Sequence, residues 1–264
     1  VLTTKDQKLL ADDEPEPYSV FERDPGSPYV VICDHAGNRV PRGLGTLGLA
    51  PRELERHIAW DLGAGELAQT LGRELRAWVI LQPYSRLVID CNRPLTSPDS
   101  VVRESDGSVI PGNLAISADE ARLRARAIFE PYHARIRREL DERAARSQGA
   151  VVILLHTFTP VLAGAPRPWH AGVLHHRDER LALPLLQALR SEPDLIVGDN
   201  EPYAASETTD YGLVEHAERR GLPYVELEIR QDLLESAQGR AAWAGRLARC
   251  FRSIPLDCES VSLG

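Results

Sequence analysis

The sequence predicts a single α/β domain with a mostly parallel or mixed central sheet flanked by helices. Three observations lead to it. Short apolar runs rich in β-branched residues, at 29–33, 150–155 and 224–230, alternate with amphipathic helical stretches along the chain. Several runs end abruptly in ligand-type polar side chains, the layout of open sheets that bind ligands past the carboxyl ends of their strands. No linker, repeat or low-complexity tract divides the 264 residues, a length that suits one large domain with a sizeable core.

The elements follow in order. Residues 1–28 are polar, with prolines at 15, 17, 25 and 28, and read as an irregular arm before a domain spanning 29–264. Tyr29-Val-Val-Ile-Cys33 is a buried strand closed by Asp34, His35, Gly37, Asn38 and Pro41. Pro51 opens a helical pattern that Gly63 and Gly65 interrupt and that resumes over 66–77. A strand follows at 79–81. Leu87-Val-Ile89 reads as a third strand, with Asp90, Asn92, Arg93 and Pro94 at its exit. Residues 95–117 are rich in turn formers and read as a long surface loop suited to a lid. Ser117 and Glu120 have capping-box spacing ahead of a long Arg-rich helix over 118–147, kinked at Pro131. Residues 150–155 form the most strand-like run and exit into His156-Thr-Phe-Thr-Pro160. Val173-Leu174 is a short strand, 179–189 a helix, 194–203 a strand with a polar loop, and 210–221 a helix stopped by Gly221. A strand at 224–230 and a helix at 236–252 close the domain.

Composition narrows the function. The formal net charge is −8 and the pI about 5.5, which argues against nonspecific nucleic-acid binding and a polybasic membrane surface. An anionic substrate stays admissible, because a local pocket can oppose the global charge. No apolar run approaches the roughly 18–20 residues of a membrane span. The four cysteines (Cys33, Cys91, Cys250 and Cys258) include no C-x-x-C pair, so a reducing cytoplasm is the simplest reading. Cys33 and Cys91 read as small buried residues.

Chemistry concentrates at the strand ends. His35 and His156 each terminate an apolar strand, and adjacent strands would aim both imidazoles into one crevice. Imidazole is the commonest metal ligand, and a catalytic zinc takes three protein ligands with one open position. The third ligand is open at this point: Asp34 and Asn38 stand beside His35, although a neutral amide is a poor zinc ligand, and Asp61, beside a glycine break, is an alternative. Arg86, Asn92 and Arg93 are candidates for binding a substrate carboxylate, since a guanidinium fork holds carboxylates bidentately. Strand alternation puts Glu226, Glu228 and Arg230 on one face. That trio either meets solvent or lines a polar site, where Glu228 would serve as general base. His133 reads as a surface residue and His216 as packing or surface. His170, His175 and His176 form a His-rich loop. Asp199, Asn200, Glu201 and Tyr203 form a polar loop that could border a substrate.

The wording of these motifs resembles a known family. Residues 34–41 (DHAGNRVP), 57–64 (HIAWDLGA), 85–90 (SRLVID), 92–94 (NRP), 156–160 (HTFTP), 198–203 (GDNEPY) and 228–233 (EIRQDL) are together similar to the N-formylglutamate amidohydrolase family. That family stands within the zinc carboxypeptidase and aspartoacylase-like superfamily. The resemblance spans about residues 29–235. It implies a zinc-peptidase type of α/β fold, Zn2+ or another divalent metal, and hydrolysis of an N-acyl amino acid, typically N-formyl-L-glutamate to formate and glutamate. By carry-over it implies that His35 and His156 bind the metal, that Asn92 and Arg93 hold a substrate carboxylate, and that Glu228 activates water and protonates the leaving amine. Arg86 and Arg230 become further anion-binding candidates. Position 38 is Asn where the wider superfamily's metal motif has Glu, which is why Asp61 is preferred.

Two other readings remain at the level of sequence. One is a non-catalytic small-molecule-binding protein on the same fold, with Asn38 as its best argument. The other is a deacylase or carboxypeptidase-type hydrolase with another substrate. A serine hydrolase is disfavoured by the lack of a G-x-S-x-G elbow. The expected partner is a small N-acyl amino acid, with neither nucleic acid nor membrane, and the oligomeric state is open.

Overall fold

A computed structural model describes residues 8–22 and 24–255. The start of the arm, the end of the tail and Cys258 lie outside the described residues. Seven strands form one mixed sheet: β1 (Ser19–Phe21), β2 (Tyr29–Cys33), β3 (Trp78–Leu81), β4 (Val151–Phe158), β5 (Ala171–Leu174), β6 (Val197–Asp199) and β7 (Tyr224–Arg230). Their spatial order is β1-β3-β2-β4-β7-β5-β6. The central four, β3, β2, β4 and β7, are parallel. β1 caps one edge antiparallel to β3, β5 runs antiparallel to β7, and β6 is parallel to β5. The arm therefore contributes an edge strand.

The central strands are buried on both faces, so their sequence is nearly continuous in apolar residues. Alternation still divides the core. Val31, Val79, Ile153 and Val225 face a layer built by α1 (Ala64–Leu75), α4 (Ala182–Arg190) and α6 (Ala237–Ser253). Val30, Ile80, Val152 and Tyr224 face a second layer. There the helix segments α2 (Ala118–Arg124) and α3 (Glu130–Ala145), joined by a π turn at Ala125–Phe129, pack with the short α5 (Tyr211–His216). The π turn lies just ahead of Pro131, where the sequence predicts a kink. Pro131 has no N–H and its ring crowds the carbonyl one turn back, and a widened turn relieves both.

The largest departure from expectation is Leu87-Val-Ile89. The run is buried but joins no strand. Side chains take up much of what a ladder would pair: Ser85 Oγ accepts from the Leu87 N–H, Asn113 Nδ2 donates to the Leu87 carbonyl, and Arg124 donates to the Val88 carbonyl, while the Val88 N–H donates locally to the Ser85 carbonyl. Asn113 and Arg124 come from distant positions, so apolarity alone reads as a strand. The pattern opened by Pro51 forms only a 3-10 turn, Pro51–Glu55, before the chain turns toward α1. Residues 95–117 carry a 3-10 turn at Pro98–Val101, a small ribbon pairing Glu104–Ser105 with Ser108–Val109, and a helical turn at Pro111–Leu114. Cys33, Cys91 and Cys250 are free and buried. No helix among the described residues is long and apolar enough to cross a membrane.

Candidate active site

The parallel strands deliver their polar residues to one end of the sheet. β2 ends at Cys33, so Asp34 and His35 stand at its carboxyl end. β4 carries His156 near its end, and the register pairs His156 with Glu228 of β7. Asp61 arrives from the turn before α1, where its N–H donates to the His35 carbonyl at 3.0 Å. Gly63 makes that turn possible. It has φ +80°, and a Cβ there would sit 2.8 Å from Leu234 Cβ.

Asp61 is the hub. One carboxylate oxygen, Oδ2, lies 3.0 Å from His156 Nδ1, 3.4 Å from His35 Nδ1 and 3.2 Å from the Thr157 N–H that donates to it. On the far side of its ring, His35 Nε2 meets Asp90 Oδ1 at 2.7 Å. Arg86 donates twice to the other Asp90 oxygen, at 2.7 and 3.1 Å, and reaches Asp61 Oδ1 at 3.5 Å. His35, Asp61 and His156 thus offer three buried donor atoms within 4.8 Å of one another. Behind His156, its Nε2 has no hydrogen-bond partner among the described residues and lies 3.7 Å from Asp34 and 3.8 Å from Glu226.

The charges follow from this crowding. Burial alone would favour neutral His156, yet its hydrogen bond to Asp61 and the nearby charges of Glu226 and Asp61 carry the imidazole up to about 10. Burial also opposes ionisation of Asp61, but His35 and His156 outweigh it and hold the carboxyl well below its ordinary range. Glu228 goes the other way. Burial is the main influence, partly offset by His156 and reinforced by Asp61, and the carboxyl is pushed up to about 7.

These groups line a cavity of about 270 Å³ that also includes Asn92, Arg93, Thr157, Tyr203, Thr209, Asp210 and Glu226. The structure brings His35, Asp61, Arg86, Asn92, Arg93, His156 and Glu228 together there. Asn38 and Arg230 are not among the lining residues. Asn38 gives its amide to the Leu54 carbonyl at 2.8 Å. Arg230 pairs with Asp232 at 2.8 Å and bonds the Pro168 and Trp169 carbonyls. Arg86 has two carboxylate partners already, whereas Arg93 hydrogen-bonds only the Asn92 and Thr209 carbonyls among the described residues. Thr157, Thr209 and Asp210 escaped the reading of the sequence. Asp210 looks like a plain helix start, but it accepts from Ser206 N, from Thr209 Oγ1 and from Asn92 Nδ2. That last bond joins segments 118 residues apart, so no local pattern reveals it.

The family model described as N-formylglutamate amidohydrolase matches residues 27–235. A gene product of Agrobacterium tumefaciens of known structure is 35% identical, with 93% of this chain and 97% of that chain covered and a TM-score of 0.90. The N-formylglutamate amidohydrolase of Ralstonia eutropha JMP134 shares the fold at 17% identity, with 90% of this chain and 97% of that chain covered and a TM-score of 0.71. No curated protein matches the chain significantly. A match over most of the chain, on a mixed α/β sheet whose strand ends gather two histidines and an acidic pair, makes this a hydrolase of amide C–N bonds that belongs to the N-formylglutamate amidohydrolase family.

Proposed function

We propose that the chain is a divalent-metal-dependent amidohydrolase acting on an acidic N-acyl amino acid, with N-formyl-L-glutamate as the leading substrate. The observation that carries the reading is the buried His35, Asp61 and His156 set facing Glu228 across one small cavity. Two imidazoles and a carboxylate are a zinc-type donor set. The Asp90 carboxylate on His35 Nε2 leaves Nδ1 to face Asp61, the outer-sphere arrangement that orients a ligating histidine. His156 is held where a positive charge is favoured, and a cation on its Asp61 face would meet that demand without the proton. Zn2+ fits these donors best. When bound, the metal supplies Lewis acidity toward the acyl carbonyl and toward water.

The chain's own residues do the rest. Glu228 accepts a proton from the attacking water, and a carboxyl near neutrality suits that task. It then returns the proton to the amide nitrogen as the C–N bond breaks, so that water's OH ends on the acyl carbon and its H on the amine. Arg93 holds the substrate carboxylate, with Asn92 beside it as a further polar anchor. Family membership supports the amide as the bond cut. The cavity, at about 270 Å³, suits a small molecule better than a peptide.

The test is metal content by elemental analysis together with formate release from N-formyl-L-glutamate. About one zinc per chain, with formate released at the rate glutamate appears, is the expected result. Metal without formate release would redirect the search to other N-acyl amino acids. Failure to bind metal under any loading condition would overturn the mechanism.

A further inference from the structure

His133 and His216 form a buried pair behind the cavity, each with no measurable exposure. His133 sits on α3 and His216 ends α5. Their ring centroids lie 5.1 Å apart with the planes 23° from parallel, so the rings meet edge to edge, and Phe129, Tyr132 and Tyr211 surround His133 within 5.0 Å. His133 Nε2 lies 2.9 Å from the Cys91 carbonyl, and its Nδ1 lies 2.8 Å from His216 Nε2.

With the buried ring neutral, these two distances set the protons. A carbonyl only accepts, so His133 Nε2 carries the hydrogen. Burial in an aromatic shell keeps the ring neutral, pulling it down to about 3, so Nδ1 is bare and accepts. His216 must therefore donate from Nε2, and its Nδ1 is left without a partner among the described residues. The pair is a one-way relay from α5 through α3 to Cys91.

The relay ends beside the substrate anchor. Cys91 directly precedes Asn92 and Arg93, in the segment that has no strand ladder to hold it. The same α5 that carries His216 grips Asn92 from the other side. Tyr211 N donates to the Asn92 carbonyl at 3.2 Å, and Gly212 N donates to Asn92 Oδ1 at 3.1 Å. Gly212 approaches closely, since a Cβ there would lie 2.8 Å from Leu154 Cδ2. Cys91 and Asn92 are thus closed in a ring of hydrogen bonds that runs through both histidines. We propose that His133 and His216 are positioning residues that set the placement of Asn92 and Arg93 over the cavity.

This inference rests on the reading of Arg93 and Asn92 as the substrate anchor, so its test has one arm that needs turnover and one that does not. In the first, His133→Phe raises KM about tenfold, as expected for a loosened charged anchor, while kcat stays within about twofold. In an Arg93→Ala background the same substitution adds nothing, because the anchor it placed is gone. A fall in kcat alone, or full additivity with Arg93→Ala, would overturn the positioning role. His216→Phe, which leaves the Cys91 bond in place, gives the same pattern more weakly and decides the matter if His133→Phe does not fold. The second arm is 15N NMR of the full-length protein. Both histidines should show a protonated Nε2 and a bare Nδ1, and the Asn92 side-chain amide and Arg93 Nε–H resonances should shift in His216→Phe. The opposite tautomers, or unmoved Asn92 and Arg93 resonances, would sink the inference. Absence of formate release from the wild type would count against the substrate reading alone and leave the NMR arm to decide.

Discussion

Glu228 and His156 are register partners on parallel neighbouring strands, so a carboxyl tuned toward neutrality and a candidate metal-binding imidazole leave the sheet side by side. The pairing needs no loop to hold it. The two strands are paired over seven register positions, from Tyr224 with Val152 to Arg230 with Phe158, and that ladder holds the relationship.

That pairing makes Glu228 the sharpest point of attack. Glu228→Gln should keep its metal and lose about 10²–10⁴-fold in kcat, the usual contribution of a general base. The carboxyl must be ionised to accept a proton, and burial raises it to about 7. Activity should therefore rise as pH climbs through that value, with a bound cation moving the limb lower. A pH profile of kcat/KM should show this limb in the wild type and not in the variant. Retention of full turnover by Glu228→Gln would show that the base lies elsewhere.

Metal content should separate Asp61 from Asn38. His156→Ala and Asp61→Asn should lose metal and activity together, whereas Asn38→Ala should keep both, since Asn38 is turned to the Leu54 carbonyl. Chelation should lower the melting temperature as well as activity, because a ligand at about 100 times its Kd stabilises the fold by about 2.7 kcal/mol. Scanning calorimetry with and without chelator reads this directly, and an unchanged melting temperature would count against a site inside the fold.

Arginines should divide by their partners. Arg93 forms no salt bridge among the described residues, its charge acting on Asp90 only through space, while Arg230 is paired with Asp232. Arg93→Ala should raise KM by roughly 10- to 100-fold, the worth of a charged hydrogen bond of about 1.5–3 kcal/mol. Arg230→Ala should leave KM near the wild-type value. Steady-state kinetics on both variants test this, and equal losses would mean that the substrate extends to Arg230.

Acid should loosen the layer behind the site. His133 is held down to about 3 by burial, below the ordinary value of 6.5. The unfolded chain therefore takes up that proton first. The contribution is complete above about pH 6.5 and drains away toward pH 3, at about 1.4 kcal/mol per pH unit. Denaturant unfolding at pH 7 and 5 should show the loss, and His133→Phe should flatten it.

The sequence by itself determined the α/β class, most strands of the sheet, the family and several residues of the candidate site. Tyr29–Cys33 and Tyr224–Arg230 are strands because long apolar, β-branched runs between turn formers have few other ways to be buried. His35, His156 and Glu228 were legible because polar residues at the ends of such runs stand out against them. What only the tertiary structure decided is who faces whom. Leu87-Val-Ile89 carries a strand's composition, yet Ser85, Asn113 and Arg124 take up much of its backbone pairing and free it from the sheet. Arg230 shares a strand with Glu228 but turns to Asp232 and to the Pro168 and Trp169 carbonyls. His133, which reads as a surface residue, is buried against His216 from 83 residues away. Composition and period report where the apolar core will be, and they miss polar residues such as His133 that are buried with a partner. Hydrogen bonds between distant segments settle its partner, and they exist only once the chain has folded.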